Sequence, residues 1–261
     1  MVPSQKLIAV VGGTGQLGSS VAISLHDNPE FQVRVLSRDP TSAKAQRLVK
    51  LGIQVVKADN WSDTDLQSAF RGCWGIFINL NSDLPNFKRK IGPSEFENGK
   101  IVVDAAVKAG VKHVVHASLP PASKLTNGKI PVYSFDDKRA ISDYALAQDE
   151  FQTVTLVNAG WFLENAFDPA YETVFGGLAT KVDEEGFYTW KCPSMGNDPE
   201  LVPWLSVTDD YGDFVHGVFL DPQRWNKKVI HAVSESLSFA GMAASFQKGR
   251  FPTNFTCRST R

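Results

Sequence analysis

One short stretch near the N-terminus constrains this chain more than any other. Gly12-Gly13-Thr14-Gly15-Gln16-Leu17-Gly18 follows the apolar run Leu7-Ile8-Ala9-Val10-Val11 and precedes Val21-Ala22-Ile23 and Leu25. The order is strand, glycine turn, helix. Glycines let a backbone turn tightly and approach a pyrophosphate closely, and a helix N-terminus offers unpaired N–H groups and the positive end of its dipole. Two spacings are met together, Gly13-x-Gly15-x-x-Gly18 and Gly12-x-x-Gly15-x-x-Gly18. A glycine motif alone is weak evidence. With a strand before it and a helix after it, the stretch predicts a dinucleotide site that includes Gly12, Thr14, Gly15, Gln16, Leu17 and Gly18.

The same rhythm continues downstream. Short apolar runs at Leu7–Val11, Val33–Leu36, Ile53–Val56, Ile76–Leu80, His113–Ala117 and Val154–Val157 read as strands buried on both faces of a parallel sheet. Helices are predicted after Gly15, near Thr41-Ser42, from Ser62 (Ser62-x-x-Asp65 as a capping box), from Ser94 to Ala109, and from Phe135. Strand–helix alternation through six strands predicts an α/β fold with a doubly wound parallel Rossmann-type sheet. Two long polar loops, Asn81–Pro93 and Pro120–Val132, leave the carboxyl ends of the fourth and fifth strands, where ligands sit in such sheets. After residue 160 glycines and prolines break the pattern. Residues 1–160 are therefore expected to form the nucleotide-binding domain. Residues 161–261 are expected to form a small substrate lobe at the sheet edge, with Ser206–Asp210 leading into a helix through Phe214, Val215, Val218 and Phe219.

Bulk properties narrow the classes of function. The 261 residues are 43% hydrophobic and 21% charged, as in an ordinary globular chain, and the net charge of −1 gives no electrostatic footprint for nucleic acid or an anionic membrane. The expected partners are a small-molecule substrate and, in one reading, a regulatory protein. Lys88-Arg89-Lys90 is the densest basic run and reads first as a solvated loop. Cys73, Cys192 and Cys257 are odd in number and widely spaced, so neither a disulfide framework nor a zinc site is expected. His113 and His116 lie three apart on a strand and point to opposite faces, which excludes a shared metal. No signal pattern or membrane-length apolar run is read, so the expected compartment is cytoplasmic or nuclear.

The second strand discriminates between nucleotides. It ends Leu36-Ser37-Arg38-Asp39, with Ser37 where NAD sites usually place a carboxylate for the ribose hydroxyls. Arg38 follows at once and can pair with a 2′-phosphate or stack on adenine, which favours NADP(H). Asp39 keeps NAD as the weaker reading, and a plain surface arginine is the bland reading of Arg38.

Several further stretches, in order, resemble the NmrA-like family of atypical short-chain dehydrogenases over residues 5 to 247. They are Asp59-Asn60 with Leu66, Ala69-Phe70 and Gly72-Cys73; His116-Ala117-Ser118-Leu119-Pro120-Pro121; Gly128-Lys129 and Phe135-Asp136-Asp137-Lys138; Asn158-Ala159-Gly160-Trp161-Phe162-Leu163-Glu164-Asn165; and Asp209-Asp210-Tyr211-Gly212-Asp213-Phe214-Val215. The resemblance implies an NADP-binding Rossmann domain with a small C-terminal lobe. It also implies either an NADPH-dependent reductase, some members acting in fungal secondary metabolism, or a protein that binds the nucleotide without turnover and reports redox state to a partner. Asp59 and Asn60 near the adenine, Asn79 at the end of the fourth strand, and Gly160, Trp161 and Phe162 near the nicotinamide are the further cofactor candidates it suggests. Trp161, Asn165 and Tyr171 are the substrate candidates, with a core aromatic as the alternative for Trp161.

The catalytic pair departs from the usual pattern. Short-chain dehydrogenases commonly place Tyr-x-x-x-Lys on the helix after the fifth strand, the tyrosine passing a proton while a hydride arrives. Here Lys138 matches the lysine, but Ser134 stands four residues before it and Tyr133 is one position off, a slip of roughly 100° if that segment is helical. Lys138 then either clamps ribose hydroxyls or also protonates the product, and Ser118 is either a catalytic hydroxyl or a strand-end cap. The resemblance implies several tens of further residues after Gly249-Arg250, whereas Asn254–Arg261 shows no strand or helix period, so part of the substrate lobe is expected to be missing or replaced. Three hypotheses follow: a reductase of a small conjugated, imine or quinone-like substrate, a non-catalytic NADP-sensing regulator, and a scaffold without nucleotide, against which the intact glycine turn argues.

Overall fold

A computed structural model describes residues 5–80, 93–168, 184–185, 188–193, 196, 199–250 and 255–260. In chain order the elements are β1 (Lys6–Val11), α1 (Gln16–His26), β2 (Phe31–Ser37), α2 (Ala43–Lys50), β3 (Gln54–Lys57), α3 (Asp63–Phe70), β4 (Gly75–Ile78), α4 (Glu95–Lys108), β5 (His113–Ser118), α5 (Ala122–Leu125), α6 (Tyr133–Leu146) and β6 (Thr153–Ala159). Then follow β7 (Trp161–Phe162), β8 (Tyr188–Pro193), β9 (Val202–Leu205), α7 (Gly212–Leu220), α8 (Pro222–Trp225), β10 (Val229–Ala232), β11 (Glu235–Leu237), α9 (Phe239–Arg250) and β12 (Phe255–Thr260). Two compact units result, 1–159 with 208–232 and 160–207 with 233–261.

In the first unit, seven strands among the described residues pair in the order β10-β6-β5-β4-β1-β2-β3, every pair parallel. The order steps outward from β1 in both directions, which is the doubly wound arrangement, and the reversal lies between β1 and β4. β4 and β5 are buried along their whole length, as strands covered by helices on both faces must be. Two features differ from the sequence reading. A seventh strand, β10, was not foreseen, because Val229–Ala232 is a four-residue edge segment with mixed burial and no apolar run. And 208–232 belongs to the sheet unit, not to the lobe drawn over 161–261.

Local chemistry explains most element boundaries. α4 begins with a full capping box: the Ser94 hydroxyl accepts from the Glu97 N–H, and the Glu97 carboxylate accepts from the Ser94 N–H. At Ser62 only half of the expected box forms. The serine accepts from the Asp65 N–H at 3.2 Å, while the Asp65 carboxylate turns to the Asp59 N–H instead. α6 starts at Tyr133, two residues before the predicted Phe135, with Val132 as its N-cap. The stretch Val207–Tyr211 forms one wide π-type turn before α7, which therefore starts without a side-chain cap.

The second unit carries a three-stranded sheet in the order β11-β9-β7 and the parallel pair β8–β12. The pairing of Phe255–Thr260 corrects the expectation that this stretch has no regular structure; an edge strand is held by backbone hydrogen bonds, which leave no periodic trace in the side chains. Trp190, Trp204 and Phe239 form the buried centre of the unit, with ring centroids 5.3 to 6.0 Å apart.

Candidate functional site

The glycine turn sits at the carboxyl end of β1, beside the topological switch point. Gly12 has φ +74°, and a Cβ there would fall 2.1 Å from the Asn79 carbonyl oxygen. A Cβ on Gly18 would fall 2.3 Å from the Gly12 carbonyl oxygen. Both contacts are with backbone, so neither position admits a side chain. The turn closes through a bond from the Gly15 N–H to the Gly12 carbonyl at 3.0 Å. α1 then starts on Gly15 with no side-chain cap and no acidic residue in its first turn. Its first N–H groups and positive dipole end are left for an anion. This is a cradle that a dinucleotide pyrophosphate fits. Gly15 and Gln16 are exposed on its rim, and Thr14 and Leu17 are half-buried.

Around it, the structure separates free side chains from committed ones. Arg38 is exposed just beyond β2 and has no ion-pair partner among the described residues. Its neighbour Asp39 is engaged: one carboxylate oxygen accepts from both the Thr41 hydroxyl at 2.6 Å and the Thr41 N–H at 2.9 Å. Those bonds hold its pKa below the usual carboxylate value. Ser37 is buried and caps the same turn through the Asp39 N–H. Asp59 shapes the turn after β3 by accepting from the Trp61 N–H, and the Asn60 carbonyl accepts from the buried Asn98 amide. Asn79 contributes its carbonyl to the floor of the glycine turn.

The second cluster lies between α4, α6 and the end of β5. Lys138 on α6 donates to the Glu95 carboxylate at 2.6 Å and to the Leu80 carbonyl at 3.1 Å. The lysine side chain keeps 10% of its surface exposed, the glutamate side chain 1%. The second oxygen of Glu95 is buried with no hydrogen-bond partner among the described residues. Close approach of the two helices makes this pairing possible. Gly99, one turn beyond Glu95, faces Ile141, one turn beyond Lys138, and a Cβ there would lie 2.3 Å from the Ile141 side chain. Asp137 braces the same contact by accepting from the backbone N–H groups of Phe96 and Glu95; its own burial raises its pKa, with those bonds opposing.

A buried polar chain runs alongside. Ser142 donates to Ser118 at 2.8 Å and meets His116 Nδ1 at 2.7 Å. Burial, and secondly the Lys138 charge, keep His116 neutral by driving its pKa well below the ordinary value. The Ser142 hydroxyl also lies 3.2 Å from the Lys138 carbonyl, so Ser118, His116 and the backbone of α6 meet at one buried hydroxyl.

The other predicted site residues lie on α6, in the second unit or outside the described residues. Tyr133 opens α6 and is 58% exposed, while Lys138 is buried, so the helix directs the two side chains differently, as the one-residue slip requires. Gly160, Trp161, Phe162 and Asn165 belong to the second unit, where Trp161 stacks edge-on against Trp204 and Phe239. Tyr171, and nearly all of the Asn81–Pro93 loop, lie outside the described residues. Sequence reasoning missed Glu95 and Ser142 and considered His116 only as a metal ligand. Nothing in the sequence points to Glu95, which is 43 positions from its partner. Among the described residues there is no cluster of metal-ligating side chains, and no helix is long and apolar enough to cross a membrane.

Comparison with known proteins places these features in context. A family model described as the NmrA-like family matches residues 4–255. The chain is 46% identical over 246 residues to the NmrA-like family domain-containing oxidoreductase lnaB of Aspergillus flavus, an alignment covering 94% of this chain and 73% of that protein. Among solved structures it is similar to NmrA, a negative transcriptional regulator, in complex with NADP (TM-score 0.79, 23% identity, 97% of this chain and 74% of that one). It is also similar to the Escherichia coli NADPH-dependent quinone oxidoreductase QOR2 complexed with NADPH (TM-score 0.68, 25% identity, 97% and 78%).

Proposed function

This chain belongs to the NmrA-like family, and from that premise we propose that it is an NADPH-dependent reductase of a small conjugated, imine or quinone-like molecule. The observation that carries the reading is the glycine turn, where backbone packing forbids a Cβ at Gly12 and Gly18 and the first turn of α1 is left open to an anion. The choice of NADP(H) rests on Arg38, an available guanidinium beside an aspartate already committed to Thr41. NADP- and NADPH-bound structural neighbours and an oxidoreductase relative from Aspergillus support the same reading. A setting in fungal secondary metabolism is part of the proposal.

When bound, NADPH supplies a hydride from its nicotinamide ring. The chain supplies the rest. Gly12 to Gly18 seat the pyrophosphate, and Arg38 takes the 2′-phosphate. Asp59 and Asn60 are assigned to the adenine and Asn79 to a further cofactor contact, and the family resemblance assigns Gly160, Trp161 and Phe162 to the nicotinamide. Lys138 offers an N–H to the ribose hydroxyls or a proton to the product, and Ser118 offers its hydroxyl to the substrate. Trp161, Asn165 and Tyr171 are the substrate contacts that the family resemblance implies. Calorimetric titration with NADPH, NADP⁺, NADH and NAD⁺ tests the first half: the expected result is tight NADPH and weak NADH, and absence of any binding overturns the reading. A substrate screen with Lys138→Met tests the second: turnover is lost in a variant that circular dichroism shows to be folded.

One observation favours a second reading. Ser134 stands where the usual proton-donating tyrosine would be, which suits a non-catalytic NADP sensor acting through a protein partner. Nucleotide binding without turnover, together with a partner captured only in one redox state of the nucleotide, would select it.

A further inference from the structure

The two charges between α4 and α6 form a nearly dry pair. A carboxylate 1% exposed and an ammonium 10% exposed meet at 2.6 Å. Desolvating both ions costs several kcal/mol each, and apolar residues in their place often serve stability as well or better. Holding a charge in one position is what such a pair does that a leucine pair cannot. The arrangement also has a direction. The glutamate lies behind the lysine, sealed from solvent, and the lysine reaches the surface with what little exposure the pair retains.

Counting donors sharpens the point. An ammonium has three N–H groups. One goes to Glu95 and one to the Leu80 carbonyl. A single N–H is left to serve a ligand. Loss of that one proton would leave a neutral amine with both of its structural bonds intact.

Resting on the proposed reading of Lys138, we propose that Glu95 is a positioning residue: it fixes the lysine ammonium in its charged form and aims its one remaining N–H. Glu95 touches neither substrate nor nucleotide; it acts through Lys138. Among the described residues, the other charged groups of α4 and α6 are otherwise engaged, Lys100 and Asp104 with Tyr144 and Lys108 with Asp63. Glu97 caps Ser94, Asp136 accepts from the Ser123 hydroxyl and N–H, and Asp137 accepts from the first turn of α4. Arg139 pairs with Asp143, and His116 on β5 is neutral. Glu95 is thus the counter-ion in contact with Lys138 among the described residues.

The test reads Lys138 directly and needs neither nucleotide nor turnover. Lysine side chains are labelled with ¹³C at Cε, and Lys138→Met identifies the resonance. In the wild-type protein the Lys138 resonance is expected to be that of an ammonium at neutral pH; the resonance of a neutral amine there would mean the pair is not ionised and would overturn the proposal. In Glu95→Gln the midpoint is expected to fall by about one unit or more, because the amide keeps a hydrogen-bond acceptor and removes the counter-charge. An unmoved midpoint in a folded variant overturns the proposal; should that variant not fold, the wild-type titration still decides. If the protein turns over substrate, the alkaline limb of its pH–rate profile shifts down in Glu95→Gln by the same amount, which a merely structural role would not produce. If no nucleotide binds, the proposed function fails while the titration still judges Glu95.

Discussion

At the scale of single residues, the molecule is decided by where a side chain cannot go and where one is left unoccupied. Gly18 is the first case. An added methyl would meet the backbone of Gly12 and Gly13 within 2.6 Å, and backbone cannot step aside as a side chain would. Gly18→Ala is therefore expected to cost about 1–3 kcal/mol of stability and to abolish nucleotide binding, read by denaturant unfolding and by calorimetry. Arg38 is the second case. Arg38→Ala is expected to weaken NADPH binding by about 1.4–2.8 kcal/mol, or about ten- to a hundredfold, and to leave NADH binding unchanged. Equal losses for both nucleotides would remove Arg38 from the 2′-phosphate. The glycine turn was legible in the sequence because its requirement is local: residues that must lack a Cβ lie within seven positions of one another. The commitment of Asp39 to Thr41 is equally local, a two-residue side-chain turn of the kind Asp favours, although in the sequence the same carboxylate only keeps NAD as the weaker reading.

At the scale of elements, the contact between α4 and α6 matters most. Gly99 sets its closeness, and Glu95, Lys138 and Asp137 lie along it. Gly99→Ala is expected to push Ile141 and its helix outward and to destabilise the protein by about 1–3 kcal/mol. It should also loosen the Lys138–Glu95 pair, visible as a shift in the Lys138 titration; a variant as stable as wild type would show that the interface yields more easily than its geometry suggests. None of this was legible beforehand. Each helix was foreseen from its own periodicity, but periodicity gives a face and not a neighbour. Which faces meet depends on the strand order β5-β4-β1, which brings the segments after β4 and β5 side by side. The same reason hid β10 and β12. Both are short strands defined by the backbone they pair with, at β6 and β8, so neither carries an alternation of its own.

At the scale of the whole molecule, acid is the expected weakness. His113 lies buried between Trp74 and Thr153, and burial first and the nearby Lys6 second lower its pKa to about 4. His116 is lowered too. The unfolded chain takes up these protons near pH 6.5 and the folded one resists them, so stability is full above about pH 6.5 and falls as the pH drops toward 4. Melting temperatures measured across that window should decline, and His113→Asn, which keeps a polar atom near Thr153 without the titration, should flatten the slope. NADPH at about a hundred times its dissociation constant should raise the stability of the fold by about 2.7 kcal/mol, seen as a higher melting temperature that depends on nucleotide concentration.

The edge strand β10 sets an order of events during synthesis. β6 is complete when residue 159 has left the ribosome, but its outer row of N–H and C=O groups finds its partner only when Val229 to Ala232 emerge, some seventy residues later. Until then the nascent sheet ends in an open, apolar border, the kind of border to which another chain can add a strand. A stop or a pause inside that interval would release or hold a sheet bordered by the buried strand β6 and not by the short, more exposed β10, a border open to capture by another copy.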